Sequence, residues 1–198
     1  MDTRPVPINN AFYELSKYGP KNVLHVGGHV GEEGELYERM GVDFTFVEPV
    51  PEYAEQIRKK GYKVLECAVG KEGIRDFIVR SIFSSFWQRD SKYDNYLKSW
   101  LGKKGIKDSP EKIKVKVVSL SSIQKGFDTL VVDAEGSDLE VLRSGDLDFK
   151  TMIIEVRDEP AYVGGVGRSE LEEYVLARGY VKAEEHANNV IYVKKDEK

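Results

Sequence analysis

The sequence is poor in cysteine, with Cys67 the only one among 198 residues. A single cysteine excludes an intrachain disulfide framework, and without further thiols we expect no zinc site. Residues 1–10 also lack the basic start and the apolar run of a secretory signal. These absences together predict a cytoplasmic protein.

Long apolar runs and an excess of positive charge are also missing. No stretch approaches the roughly 20 apolar residues that cross a bilayer, and the formal net charge is −4. We therefore expect no membrane partner. Nucleic acid is an unfavourable partner because the overall charge of the protein is negative, as is that of nucleic acid.

Short apolar runs alternate with amphipathic stretches along the chain, which is typical of an α/β fold with a mostly parallel sheet. Two late runs flank Asn188 and Asn189 and predict an antiparallel hairpin. We expect a Rossmann-like, mostly parallel seven-stranded sheet that ends in this C-terminal hairpin. The predicted strands cover residues 22–26, 42–48, 63–69, 75–80, 112–118, 127–133, 151–156, 180–184 and 190–194.

The length fits one domain over residues 1–198. Within it we expect an N-terminal helical extension over residues 1–20 and an irregular insertion over residues 81–111. The aromatic residues of this insertion either pack it onto the body of the protein or form a lid over a substrate. They are Phe83, Phe86, Trp87, Tyr93, Tyr96 and Trp100.

A glycine-rich turn, Gly-Gly-His-Val-Gly from Gly27 to Gly31, follows the first predicted strand. A strand that breaks into glycines before a helix is typical of nucleotide-binding α/β folds. Glu48 ends the next strand, where its carboxylate can accept hydrogen bonds from both hydroxyls of a ribose. The G-x-G-x-x-G spacing for a dinucleotide is absent, because His29 or Val30 stands where its second glycine would be. The turn favours a ligand with an amino-acid tail and no pyrophosphate; a turn without a ligand is the alternative.

A second candidate site follows the predicted strand over residues 127–133, where the sequence reads Asp-Ala-Glu-Gly from residue 133. In an open α/β sheet this strand lies beside the first one, at the point where ligands bind. Asp133 and Glu135 are therefore expected near the reacting end of a ligand held by the glycine turn. The alternative is that both acids only solvate a loop.

Two further acids follow along the chain. Ser137 and Glu140 have the spacing of a capping box, which predicts that a helix begins there. Glu155 lies inside an apolar run, where a carboxylate needs a partner or a raised pKa. It belongs either to the site or to a buried ion pair, for which Arg157 and Arg143 are candidates.

Together these blocks resemble the FkbM family of S-adenosylmethionine-dependent methyltransferases. The resemblance rests on residues 25–33, on Glu48-Pro49, on residues 133–136 with Val141-Leu142, and on residues 154–156. It runs from about residue 22 to residue 180 and implies a class I methyltransferase fold. For most members it also implies O-methylation of sugars or of other hydroxyl-bearing natural products.

The resemblance further implies roles for single residues. Class I enzymes often carry an acid where His25 stands, so contact with the cofactor's amino group is expected to differ here or to run through water. Glu48 corresponds to the ribose ligand, and Asp133, Glu135 and Gly136 form the family's D-x-E-G site. The implied cofactor-binding residues are His25, Gly27, Gly28, Gly31, Glu48, Pro49, Cys67, Ala68 and Asp133.

Methyl transfer to a hydroxyl needs a group that takes the acceptor's proton. The candidates are Asp133, Glu135, Glu155 and His29, and the sequence does not choose among them. Neighbouring acids can instead hold Mg²⁺, which prefers oxygen ligands, and this alternative stays open.

The acceptor is expected to be a small molecule, namely a sugar or another hydroxyl-bearing metabolite. A local basic run is either a solvated face or a contact for a phosphate-bearing acceptor such as a nucleotide sugar. It consists of Lys103, Lys104, Lys107, Lys112, Lys114 and Lys116. Two other functions stay open: an NAD-dependent oxidoreductase, and a methyltransferase-like fold that binds ligands without catalysis.

Overall fold

A computed structural model describes residues 10–80, 84–103 and 109–195 of the chain. Phe83, Lys104, Lys107 and the side chain of Trp100 lie outside the described part, as do the first nine residues of the predicted extension. The helices are α1 (Asn10–Glu14), α2 (Gly34–Met40), α3 (Pro51–Lys59), α4 (Ser91–Lys103), α5 (Asp138–Arg143) and α6 (Arg168–Leu176). The strands are β1 (Asn22–Val26), β2 (Asp43–Val47), β3 (Val64–Leu65), β4 (Ala68–Val69), β5 (Gly73–Val79), β6 (Glu111–Val118), β7 (Thr129–Val132), β8 (Thr151–Glu155), β9 (Tyr180–His186) and β10 (Asn189–Lys194).

The main sheet has seven strands in the order β3-β2-β1-β7-β8-β10-β9. Its first five strands run parallel, whereas β10 is antiparallel to both of its neighbours. The prediction of a mostly parallel seven-stranded sheet with a C-terminal antiparallel hairpin is confirmed. From β1 the chain builds outward to one side and later returns to build the other side, which opens a crevice between β1 and β7.

A smaller sheet of three strands has the order β4-β6-β5. Residues 63–69 are divided between the two sheets, so the prediction of one strand there is wrong. The chain bends between β3 and β4, where the Cys67 N–H donates to the Leu65 carbonyl at 3.1 Å. β3 then pairs with β2, and β4 pairs with β6. The sequence shows one apolar run here because β3 and β4 are both short and apolar, although β4 is buried and β3 is only half-buried.

Helices cover both faces of the main sheet, because alternate strand residues point to opposite sides. Val131 and Ile153 pack in one cluster with residues of α1, α2 and α3. Leu130 and Ile154 pack in the other with residues of α5 and α6. None of the described helices is both long and apolar enough to cross a membrane.

The strand register brings the predicted site residues to one edge of the sheet. Val26 pairs with Val47 on one side and with Val132 on the other. The residues that follow these three, among them Gly27 and Asp133, therefore leave the sheet at the same level. This edge is where α/β sheets bind their ligands.

Candidate active site

A cleft of about 580 Å³ opens at this edge, between the glycine turn and the turn that follows β7. One end is apolar and the other end carries carboxyl groups. Its lining residues are Val26, Gly27, His29, Val47, Glu48, Pro49, Tyr53, Cys67, Ala68, Val69, Phe77, Ser84, Phe86, Asp133, Ala134, Glu135 and Ser137.

The glycines of the first turn are required by close packing. A Cβ atom at Gly27 would lie 1.9 Å from the carbonyl oxygen of Asp133, and one at Gly28 would lie 2.8 Å from the Phe46 ring. Both glycine N–H groups donate to the Val47 carbonyl, at 3.0 and 3.1 Å. Gly31 lies behind the turn, against Ile57 and Phe46. The glycines thus let three strand ends meet closely, and the ligand cleft lies beside them.

His29 stands in the middle of this turn at a φ of 43°, in the left-handed region that side chains rarely adopt. Its N–H donates to Glu48 Oε2 at 2.9 Å, and its Nδ1 lies 3.1 Å from Glu32 Oε1. The imidazole packs edge-on against Tyr53, with ring centroids 4.6 Å apart. The strained backbone therefore holds both His29 and Glu48 at the cleft.

Glu48 is buried at the end of β2. Besides the His29 N–H, it accepts the Val50 N–H on Oε1 at 2.8 Å. Burial raises the pKa of its carboxyl to about 8, although these two backbone donors act to lower it. Each oxygen holds one backbone donor and keeps further acceptor capacity for a ligand.

The apolar end of the cleft is built from both sheets. Cys67 and Ala68 lie at the bend between β3 and β4, and burial raises the pKa of the Cys67 thiol. Phe77 of β5 packs edge-on against Phe86, with centroids 5.0 Å apart. The Arg75 guanidinium lies over the Phe86 ring at 4.2 Å. A flat, apolar ligand group fits between such surfaces.

The turn after β7 is organised by Asp138. This buried carboxylate accepts the Ala134 N–H at 2.8 Å and the Gly136 N–H at 3.2 Å. A helix begins after Ser137 as predicted, but the predicted capping box is wrong, because the Ser137 side chain makes no capping hydrogen bond to α5. The Glu140 side chain instead pairs with Arg75, which draws it away from the helix start.

Glu135 is the second residue at this edge with a left-handed backbone, at a φ of 47°. Its Oε2 accepts the Tyr162 hydroxyl and lies 3.8 Å from Nη2 of Arg89. Arg89 in turn donates to the Tyr162 hydroxyl at 3.2 Å. A backbone conformation that costs on the order of 1–3 kcal/mol persists when its surroundings hold it, as these contacts do.

Asp133 and Glu155 differ in their partners. Oδ1 of Asp133 is buried and has no hydrogen-bond partner within the described ranges. Glu155 pairs with Arg157 at 2.6 Å and lines a separate pocket beneath the turn. The ion-pair alternative for Glu155 is therefore what the structure shows, with Arg157 as the partner.

The carboxyl groups of the β7 turn share a raised proton affinity. Burial and the nearby charge of Glu155 raise the pKa of Asp133 well above its usual range. The same two causes raise the pKa of Glu135 to about 8, against the lowering effect of the Tyr162 hydrogen bond. Burial raises the pKa of Asp138 to about 7. Acids in such surroundings suit proton transfer near neutral pH.

Residues 84–90, within the predicted insertion, lie across the cleft and bond to the β7 turn. The Ser85 hydroxyl donates to the Glu135 carbonyl at 2.7 Å. The Trp87 indole N–H donates to the Ser137 hydroxyl at 3.0 Å. Further along, the exposed Tyr96 side chain on α4 does not pack on the body.

A second pocket of about 610 Å³ adjoins the cleft on the side of α2. Four residues line both: Gly27, His29, Asp133 and Glu135. The remaining lining residues of the second pocket are His25, Gly28, Glu32 and Glu33. Within the described part of the chain, no lysine or arginine lines either pocket.

The structure brings most predicted site residues to these two pockets; Gly31 and Glu155 line neither. Sequence reasoning missed Tyr53, which lies on α3 just after Glu48, and Phe77 and Tyr162, which come from distant segments. Glu32 and Glu33 also line the second pocket. Two consecutive acids directly after the glycine turn are the sequence feature that could have indicated this.

The donor set does not support the Mg²⁺ alternative. Among residues 10–80, 84–103 and 109–195, no three His, Cys, Asp or Glu side chains are grouped as ligands for one metal ion. Of the candidate acids, Glu155 is paired with Arg157, and Glu135 accepts the Tyr162 hydroxyl.

Solved structures with the same fold define the class. The chain resembles magnesium protoporphyrin IX methyltransferase from Synechocystis, solved with bound S-adenosylmethionine, with a TM-score of 0.51 and 8% identity over 94% of this chain and 76% of that one. It also resembles a proposed RNA methyltransferase from Pyrococcus horikoshii, with a TM-score of 0.50 and 13% identity over 93% and 84% of the two chains. Identities this low show the fold alone. It is the fold of class I S-adenosylmethionine-dependent methyltransferases.

Within this class the family is also clear. The family model described as the methyltransferase FkbM domain matches residues 25–182, and the chain belongs to that family. The predicted family is therefore confirmed, and with it methyl transfer from S-adenosylmethionine as the reaction type. No curated protein sequence gives a significant match.

Proposed function

We propose that this protein O-methylates a small, uncharged, hydroxyl-bearing metabolite such as a sugar. One observation carries the proposal: a single cleft holds both the buried carboxylate of Glu48 and the strained, proton-avid Glu135. The first suits the ribose of a nucleoside cofactor, and the second suits a hydroxyl that must lose its proton.

The residues of the cleft fit S-adenosylmethionine. Pro49, Cys67, Ala68 and Phe86 offer an apolar slot for the adenine ring. Glu48 keeps acceptor capacity on both oxygens for the ribose hydroxyls. When bound, this cofactor supplies an electrophilic methyl group on a sulfonium.

Glu135 is our candidate for the general base. Tyr162 occupies its Oε2, which leaves Oε1 to take the proton that the acceptor hydroxyl gives up. The strained φ fixes the carboxyl over the cleft, so little reorganisation is needed during the reaction. A carboxylate with a pKa of about 8 is a stronger base than an ordinary glutamate.

The other three candidates receive different roles. Asp133 lines both pockets. Its Oδ1 has no hydrogen-bond partner in the described part of the chain and is assigned to contact the ligand. His29 orients Glu48 through its N–H, and its ring pairs with Glu32. Glu155 binds Arg157 beneath the β7 turn, and its negative charge raises the proton affinity of the acids in that turn.

The charge of the site favours an uncharged acceptor over a phosphate-bearing one. The described lining of the two pockets contains acids and no cationic side chain to meet a phosphate. Of the basic run, Lys114 and Lys116 line a separate open groove on the small sheet. A nucleotide sugar would therefore place its phosphates against like charge, which costs affinity.

We also propose that the chain is one domain and that the described part of the predicted insertion over residues 81–111 covers the site. This part bonds to the Glu135 turn through Ser85 and Trp87. The ring of Phe86 then shields the cleft from water, which strengthens the electrostatic interactions inside.

A turnover assay tests the proposal. The purified chain is incubated with isotopically labelled S-adenosylmethionine and separate panels of neutral sugars, nucleotide sugars and amines. We expect S-adenosylhomocysteine release and a methyl ether product with a neutral hydroxyl compound. Products formed only from amines or only from nucleotide sugars would contradict the acceptor class, and cofactor binding without any turnover would favour the binding-module alternative.

A further inference from the structure

We propose that Glu33, with Asp133 across the pocket, receives the α-ammonium group of the cofactor's methionine part. The inference deepens the proposed function and depends on its cofactor. It assigns the second pocket, on the side of α2, to the amino-acid tail of the ligand.

The position of this pocket fits such a tail. It is continuous with the cofactor cleft through Gly27 and Asp133, which line both. A ligand whose adenosine part lies against Cys67 and Glu48 extends past Gly27 into it. The described lining is acidic, so the group that it favours is a cation.

Glu33 is the acid of this pocket that no other side chain binds. Within the described ranges its carboxylate accepts only its own backbone N–H and forms no ion pair, whereas its neighbour Glu32 is paired with His29. Glu33 stands at the start of α2 but makes no capping bond to the helix. Burial raises its pKa to about 7, so a cation beside it is needed to keep it fully charged at neutral pH.

Asp133 supplies a second, independent observation. Its Oδ1 is buried without a hydrogen-bond partner in the described part of the chain. An orphaned acceptor of this kind is rare in proteins, and a bound donor removes the penalty. The ammonium group is such a donor, and it has three N–H bonds to share.

His25 does not compete for this role. Burial lowers its pKa to about 3, so the imidazole is neutral. Nδ1 lies 3.1 Å from the Tyr37 hydroxyl, and the ring stacks on Phe12 at a centroid distance of 5.7 Å. The place where class I enzymes often carry an acid is thus uncharged here, and Glu33 provides the charge from the next element.

Calorimetric titration with two ligands tests the assignment. S-adenosylhomocysteine carries the methionine tail, and 5′-methylthioadenosine lacks its ammonium and carboxylate groups. For Glu33→Gln we expect about tenfold weaker binding of S-adenosylhomocysteine, as for loss of one charge-assisted hydrogen bond, and unchanged binding of 5′-methylthioadenosine. The matched control is Glu35→Gln on the exposed face of the same helix, which should change neither affinity.

A further comparison needs no variant. The wild-type protein should bind S-adenosylhomocysteine about tenfold more tightly than its deaminated analogue. Equal binding of these two would overturn the inference, and so would equal weakening of both titrated ligands by Glu33→Gln. If the wild-type protein binds neither S-adenosylhomocysteine nor 5′-methylthioadenosine, the proposed function itself fails.

Discussion

The turns after β1 and β7 leave the same edge of the sheet and are built in different ways. Each has one non-glycine residue in the left-handed region, His29 in the first and Glu135 in the second. The first turn is shaped by backbone packing, since Gly27 lies against the Asp133 carbonyl. The second is held by side chains, with Tyr162 and Arg89 on Glu135.

Because of this difference, we expect the first turn to contribute mainly to stability and the second mainly to catalysis. Packing of strand ends contributes to the stability of the fold, and a substitution there deforms the backbone. Charged side chains held in place contribute to chemistry, and a conservative substitution there keeps the fold. We therefore expect changes in the first turn to lower stability and changes in the second to lower turnover.

The largest effect is expected for Glu135→Gln, which removes the base and keeps the shape of the side chain. The turnover rate should fall by about 10²–10⁴-fold, the usual contribution of a general base. Binding of S-adenosylhomocysteine should stay within about twofold of wild type, since this side chain is not assigned to the cofactor. Stopped-time assays measure the turnover rate, and calorimetry measures the binding of S-adenosylhomocysteine.

The matched control is Glu55→Gln, an exposed acid on α3 that pairs with Arg58 of the same helix. It should leave the turnover rate unchanged. Full activity of the Glu135→Gln variant would remove Glu135 from the mechanism.

Gly27→Ala should destabilise the protein by about 3 kcal/mol, because the added methyl group collides with backbone. Gly41→Ala is the control: it also has a positive φ, but nothing lies within 4 Å of its Cβ position. That variant should lose only about 1 kcal/mol, the usual cost of a side chain in the left-handed region. Chemical denaturation measures both, and equal losses would show that the collision does not matter.

Glu48→Gln should weaken S-adenosylhomocysteine binding about tenfold, because one of the two carboxyl oxygens that face the ribose hydroxyls is replaced by an amide group that cannot accept a hydrogen bond. Glu52→Gln, an exposed change on α3, is the control. The loss should appear for 5′-methylthioadenosine as well, since that ligand keeps the ribose. A loss confined to S-adenosylhomocysteine would place Glu48 near the methionine part instead.

The smallest effect is a change in pH dependence for Tyr162→Phe. The wild-type rate should rise with pH around a midpoint near 8, as Glu135 loses its proton. The Tyr162 hydrogen bond lowers the pKa of Glu135, so its removal raises that pKa and moves the profile to higher pH. An unchanged midpoint with a lower plateau would mean that Tyr162 has only a structural role.

The sheet and the two turns could be predicted because their signals are local. Apolar runs, the glycines before α2 and the acid at the end of β7 all lie within a few residues of the structure they form. The capping box at Ser137 failed for the opposite reason, since Arg75 takes Glu140 from 65 positions away.

The surroundings of the acids could not be predicted, because they come from distant segments. Tyr162 follows Glu135 by 27 positions, and it bonds to Arg89 across 73 positions. Nothing in the sequence near residue 135 indicates either contact. The burial that raises the proton affinity of Glu135 appears only when these segments pack together.

The central claim is that the cleft between the two turns binds an adenosyl cofactor without a pyrophosphate. Calorimetric titration of the purified protein with S-adenosylhomocysteine and, separately, with NAD⁺ tests it most directly. The account predicts saturable one-to-one binding of S-adenosylhomocysteine and none of NAD⁺. Tight binding of NAD⁺ with none of S-adenosylhomocysteine would contradict it and favour an oxidoreductase.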